Sequence, residues 1–226
     1  MVATAHSSQE PRWRRLPEER PRQIIEAALD IFSERGLVAA RLEDIAKAAG
    51  VSKGTIYLYF PNKEALFCEM IRQMIGDSIA QAQDRYATSA ESATDQLREY
   101  MTSLWGYLRS PLFEKLHRIV TGDLQNYPAL LEFFMEEVPQ RSMEVEAGII
   151  RRGIASGEFR PVDADAAARM LHALFIQHSP WCAQRERIPF VAHLSDAAVA
   201  DQILDFVLHA LQPTPASRDA GTRACP

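Results

Sequence analysis

With 226 residues, 47% of them hydrophobic, the chain can bury one sizeable core or a small domain packed on a larger one. A net charge of −5 excludes a polybasic tail protein. No apolar run approaches the ~18 residues of a membrane span, and no apolar stretch of a secretory signal opens the chain. Cys68, Cys182 and Cys225 are widely spaced and odd in number. They match no zinc motif and fit reduced thiols in a cytoplasmic protein, with Cys68 buried and inert.

Charge is uneven along the chain. Glu10 to Lys63 carries ten Lys/Arg against eight Asp/Glu, whereas the chain from Glu64 onward carries fifteen against twenty-two. A mildly basic front before an acidic remainder points to a polyanion met by the front only.

Residues 1–20 read as a disordered arm whose Arg12-Trp13-Arg14-Arg15 run suits phosphate or minor-groove contact. A first helix begins near Pro21, with Ile24, Ile25, Ala28, Leu29 and Phe32 as its stripe, and ends at Gly36. A second, shorter helix follows, marked by Leu42, Ile45, Ala46 and Ala49 and closed by Gly50. Ser52 caps a third that buries Ile56 and Phe60 and stops at Pro61. Asn62 caps a fourth, long helix running to about Tyr86, striped by Leu66, Phe67, Met70, Ile71, Met74, Ile75 and Ile79. Beyond a polar break at 87–92, helices are predicted at Leu97–Leu108, from Ser110-Pro111 to about Leu124, and from Pro128 to Ser156 with a bend at Pro139. Gly157 ends that helix, and Asp163 caps the next. Pro180–Pro189 reads as a connector, Ser195 caps the last helix, and 213–226 reads as a polar tail. No stretch alternates with period two, so the fold class is all-α. A helix-turn-helix unit is expected at 21–66 and a helical bundle at 67–212.

The informative segment is Leu42 to Lys63: a short helix, a tight turn at Gly50-Val51-Ser52, and a second short helix. Ala46 and Ala49 let the two helices approach closely. The second presents Lys53, Gly54, Thr55, Tyr57 and Tyr59, a set of donors, a slim residue and flat rings that suits a major groove. Gly54 is a poor helix former, and close backbone approach to DNA accounts for it.

The run from Ile45 to Leu66, Ile-Ala-Lys-Ala-Ala-Gly-Val-Ser-Lys-Gly-Thr-Ile-Tyr-Leu-Tyr-Phe-Pro-Asn-Lys-Glu-Ala-Leu, within 22–67, resembles the DNA-binding domain of tetracycline-repressor-like (TetR-family) regulators. That resemblance implies a homodimer on a two-half-site operator in double-stranded DNA and a divergent C-terminal domain that binds a small-molecule effector. It implies that Lys53, Gly54 and Tyr57 approach bases, and that Thr55, Tyr59 and Lys63 grip phosphates. One position departs. Arg41 stands where a capping Ser or Thr is usual, at a cost of ~1 kcal/mol, and can itself reach a phosphate.

In the bundle, Trp105, Phe113, His117, Phe134, His172, Phe175 and His178 are candidates to line a cavity for a mostly apolar or aromatic ligand; each also reads as core. His172 and His178 lie six apart, not the spacing of a metal pair, and neither metal nor cofactor is expected. Met170, Leu174, Val199, Ile203 and Phe206 are candidates for a four-helix dimer interface. The expected response is release. A ligand moves the long fourth helix and spoils the roughly 34–36 Å spacing of the recognition helices; the opposite sign, a ligand that promotes binding, is the alternative the sequence leaves open. An enzyme is the first rival, but Glu114…His117 is a lone Glu-x-x-His where a di-metal bundle needs two, and nucleophile or phosphate-loop motifs are missing. A protein–protein adaptor would explain the bundle but not Lys53 to Lys63.

Overall fold

The computed structural model describes residues 19–213. The Arg12–Arg15 run and all but the first residue of the expected tail lie outside them.

Helix α1 (Glu19–Ala39) buries Ile24, Ile25, Ala28 and Phe32. It breaks at Gly36, whose φ of 77° and ψ of 163° fall in a region essentially reserved for glycine. An added Cβ there would strike the carboxylate of Asp123. Helices α2 (Leu42–Ala48) and α3 (Lys53–Tyr59) follow, joined by a turn in which Gly50 takes φ 68°. Helix α4 (Lys63–Ile71) is capped by the Asn62 side chain, which accepts from the Ala65 N–H at 2.7 Å. It continues through a π-helical segment, Arg72–Gly76, into α5 (Asp77–Thr88). The long fourth helix expected from the apolar stripe is therefore one run with a widened turn inside it, ~39 Å long at 1.5 Å per residue.

The remaining helices are α6 (Ala93–Leu108), α7 (Pro111–Gly122), α8 (Pro128–Met135), α9 (Arg141–Ser156), α10 (Ala164–Ala183), α11 (Pro189–Ala192) and α12 (Asp196–Leu211). Capping decides several starts. Ser92 accepts from Asp95 N–H at 3.0 Å, Ser110 precedes Pro111 at the first turn, and Asp163 accepts from both Asp165 and Ala166 N–H at 3.0 Å. The Glu158 carboxylate reaches back to the Ala93 and Thr94 N–H groups, at 3.0 and 3.1 Å, and ties the end of α9 to the start of α6. The expected bend at Pro139 takes the form of a second π-helical segment, Glu136–Gln140, between α8 and α9. It packs against the first. Gly157 ends α9 at φ 81°.

One boundary differs from expectation. Pro180–Pro189 is not wholly a connector, because α10 runs through Pro180 to Ala183. Proline removes one N–H from the ladder, yet Ser179 and Cys182 are buried on either side of it, and that packing carries the helix onward. Cys182 is core, while Cys68 is only half-buried; burial pushes both thiols up from their ordinary range.

The N-terminal helices do not stand alone. Helix α1 packs on α2 and α4 and also along α7. Phe32 and Phe67 meet edge to face across α1 and α4. Helices α6, α9, α10 and α12 make the bundle, with α5 laid against α9.

Candidate functional site

Ser52 fixes the start of α3. Its hydroxyl accepts from the Thr55 N–H at 3.1 Å and lies 2.8 Å from the Thr55 hydroxyl. Ile56 is fully buried and anchors the helix on α2, which leaves Lys53, Gly54, Tyr57 and Leu58 outward. Thr55 and Tyr59 are half-buried, and Leu58 is 80% exposed. Gly54 has an ordinary φ, and a Cβ on it would meet nothing closer than the Ser52 hydroxyl at 3.9 Å. Nothing inside the chain requires glycine there, although it costs a helix ~1 kcal/mol relative to alanine. Arg41 occupies the N-cap of α2 without a capping side-chain bond, as its side chain dictates, and is exposed.

The sequence reading missed Glu43. From the first turn of α2 its carboxylate receives Lys53 Nζ at 2.8 Å and the Tyr57 hydroxyl at 3.1 Å. Lys53 lies over the Tyr57 ring, 5.8 Å from its centroid. The Lys53 hydrogen bond, first among the causes, draws the Glu43 carboxyl down to about 2, and the Lys53 ammonium is pushed up by the same contact. Glu43 gave no sequence signal, because its role depends on the angle between two helices.

Lys63 points elsewhere. Its ammonium donates to the Leu37 carbonyl at 2.7 Å and the Val38 carbonyl at 3.1 Å, and it lies over the Tyr127 ring. The phosphate grip that the resemblance implies would compete with these bonds. They sit in a junction between the two halves of the chain. The Val38 N–H donates to Asp123 at 3.2 Å, and Lys115 of α7 pairs with Asp30 of α1 at 2.5 Å.

The ligand candidates divide. Trp105 of α6 and Phe175 of α10 meet edge to face with centroids 5.7 Å apart, and Phe175 is fully buried. His172, one turn before Phe175, is buried with its Nδ1 2.8 Å from Glu146 Oε1. Glu146 of α9 is 0% exposed. Nearby on α9, Ser142 bonds the Tyr100 hydroxyl at 2.7 Å. Trp105, His172 and Phe175 therefore belong to one layer, together with Tyr100, Ser142 and Glu146, which sequence reading did not select. Phe113 and His117 form a separate stack on α7, with His117 exposed. Phe134 is half-buried on α8, and His178 bonds its own helix at the Leu174 carbonyl and packs on Trp181. At this layer Trp105, His172, Phe175 and Glu146 are all buried. Two clefts open at the surface, one lined by Arg22, Glu26, Glu69, Arg72 and neighbours, the other by Arg109, Cys182 and Arg185–Arg187.

The dimer candidates divide as well. Val199 and Ile203 are consumed by the chain's own core, and Leu174 is half-buried. Met170 and Phe206 are 69% and 67% exposed. Around them Met170, Ala173, Leu174 and Gln177 on α10, and Gln202, Phe206 and Ala210 on α12, form helical stripes without a charge.

No group of three or more potential metal ligands occurs among the described residues, and no described helix is long and apolar enough to cross a membrane.

Residues 24–70 match the family described as bacterial regulatory proteins, tetR family, and residues 88–201 match the tetracyclin repressor-like C-terminal domain. The HTH-type transcriptional repressor KstR2 of Mycolicibacterium smegmatis is 30% identical over 200 residues, covering 85% of this chain and 90% of the relative. Among solved structures, the flavonoid-responsive regulator FrrA is 26% identical with a TM-score of 0.63, covering 87% of this chain and 98% of its own. The SmeT–triclosan complex, at 21% identity and a TM-score of 0.73, covers 92% and 99% and speaks for the fold.

Proposed function

This chain belongs to the tetR family of bacterial regulatory proteins and is a DNA-binding transcriptional repressor rather than an enzyme, and from that premise we propose that α3 reads operator bases through Lys53, Gly54 and Tyr57. One observation carries the reading. Gly54 stands exposed on a short helix with room for a side chain and an unstrained backbone, so the reason for its missing side chain lies outside the chain. A DNA surface supplies it. Thr55, Tyr59 and Arg41 flank this face and serve phosphates, while Lys63 holds the end of α1 in place.

The operator is bound by a homodimer. The charge-free stripes on α10 and α12 support a two-fold pairing through Met170, Leu174 and Phe206. A small, mostly apolar molecule in the bundle releases the DNA; the similar protein FrrA is a flavonoid-responsive regulator. The signal has two routes: the continuous α4–α5 run, and the junction in which Asp123, Lys115 and Tyr127 hold α1 and Lys63.

Titrating DNA from upstream of the protein's own gene at several salt concentrations tests the DNA face. Tyr57→Ala should lose about tenfold or more on the operator and little on random DNA. Lys53→Met should weaken both and lower the salt slope by about one. Lys63→Met should leave the slope unchanged. Wild-type binding by both Tyr57→Ala and Lys53→Met overturns the assignment.

A further inference from the structure

The layer between α6, α9 and α10 contains two buried polar atoms without a partner, Trp105 Nε1 and Glu146 Oε2; a third, Arg152 Nε, lies further along α9, where its guanidinium already bonds Gln96. Such atoms are few in native interiors, and each calls for an explanation. The two are opposite in kind: an indole N–H only donates, and a carboxylate oxygen accepts. The other Glu146 oxygen is held by His172. The Trp105 ring rests on Phe175, and Phe175 follows His172 by one turn of α10, ~4.5 Å of rise. The side chains that hold the two orphan groups are thus neighbours on one helix. Leu97 and Leu171, on the same two helices as Trp105 and Phe175, are fully buried hydrocarbon.

We propose that this layer receives the hydroxyl group of a neutral apolar ligand, an alcohol or phenol, whose oxygen accepts from Trp105 Nε1 and whose proton is donated to Glu146 Oε2. The proposal rests on the reading of the bundle as the effector domain and adds the ligand's chemical class. Other head groups satisfy less. A carboxylate accepts from Trp105 but brings a second negative charge to a buried acid. An ammonium pairs with Glu146 and offers Trp105 no acceptor. A plain hydrocarbon leaves both atoms unmet. Burial pushes the Glu146 carboxyl up while His172 and, more weakly, the Ser142 hydroxyl oppose this, and a ligand hydroxyl pairs with either form. Because Trp105 and Phe175 are buried against each other across α6 and α10, a ligand there must part the two helices, so occupancy and helix movement are one event.

The test is calorimetric titration of the full-length protein with three probes on one ring system: 2-naphthol, 2-naphthoate and 2-naphthylmethylammonium. Wild-type protein should bind 2-naphthol about tenfold or more tightly than either ion. Trp105→Phe, which keeps an aromatic ring, should weaken 2-naphthol about fivefold to tenfold. Glu146→Gln, which keeps the shape and removes the charge, should bring 2-naphthoate to within about threefold of 2-naphthol. The proposal is overturned by equal or tighter binding of either ion to wild type, by no binding of 2-naphthol at ~1 mM, or by variants that keep the wild-type preference. Should Glu146→Gln fail to fold by circular dichroism, Trp105→Phe decides alone. Operator affinity at saturating 2-naphthol is read separately. Naphthol selectivity with unchanged operator affinity upholds the ligand class and overturns release. Release without selectivity does the reverse.

Discussion

The face of α3 and the layer around Trp105 are both polar sites that the fold leaves unfinished, but they are unfinished in opposite directions. On α3 the unexplained feature faces solvent: a glycine with space around it, beside a lysine and a tyrosine gathered on Glu43. In the bundle it faces inward, as a donor and an acceptor with no partner. An exposed donor can wait in water at little cost, so the proposed DNA face can stand preformed. A buried orphan pays its desolvation continuously, so the bundle layer is poised to change when something satisfies it. The outer stripe of α10 and α12 is a third kind of unfinished surface, apolar where solvent would prefer charge.

The largest effect should come from separating these surfaces. Met170→Asp with Phe206→Asp places charges on side chains that the monomer leaves exposed, so the single chain should keep its helicity and melting temperature. Sedimentation should show a monomer, and operator affinity should fall about a hundredfold or more as the two half-sites cease to act together. A double variant that stays dimeric would place the interface elsewhere. Intact operator affinity in a true monomer would detach the DNA face from assembly altogether.

Two glycines sharpen the contrast between inward and outward reasons. Gly54→Ala should stabilise the chain by ~0.5–1 kcal/mol, because alanine is the better helix former, and yet reduce operator affinity about tenfold. Gly36→Ala should do the opposite in stability, costing ~1–3 kcal/mol through its backbone conformation and displacing Asp123 from the Val38 N–H. Thermal unfolding and operator titration on both variants read the two signs. If Gly54→Ala leaves DNA binding intact, the glycine has no external reason.

The same contrast explains what the sequence made legible. Caps, stripes and stops are local, so Ser52, Asn62, Ser110, Asp163 and Ser195 marked the helix starts. Lys53, Gly54 and Tyr57 could be singled out because seven residues of one short helix hold them all. The π-helical segments were not visible, since a widened turn keeps the apolar stripe running and only Pro139 hints at one of them. Pro180 misled, because proline's local penalty was outweighed by tertiary packing around Ser179 and Cys182. Lys63 was read from the resemblance, and its bonds to Leu37 and Val38 arise from a fold-back of 25 residues or more. The Glu146–His172 pair joins two helices 26 residues apart, and no periodicity distinguishes a buried glutamate from its exposed neighbours. The stripes of α10 and α12 were seen whole, but the division of Val199 and Ile203 from Met170 and Phe206 needed the packing angle of the bundle.

The smallest effect should come from Glu43, and it sharpens the idea of a preformed DNA face. In the free protein its carboxylate occupies the Lys53 ammonium and the Tyr57 hydroxyl, the two groups proposed to meet DNA. Glu43→Gln should free Lys53 and remove a negative charge from the face, raising affinity for random-sequence DNA about twofold to threefold. Operator affinity should change less, because the ordered Tyr57 is lost as the charge is gained, so the specificity ratio falls. The pH dependence has a definite sign. The Glu43 carboxyl is lowered from 4.5 to about 2 in the folded chain. The contact is therefore complete above about pH 4.5 and is lost only as the pH falls toward 2. Between pH 5 and 8 the difference between wild type and Glu43→Gln should stay constant in fluorescence-anisotropy titrations. A difference that shrinks within that range would mean that Glu43 is not the group restraining Lys53. In that case the DNA face is ordered by DNA itself.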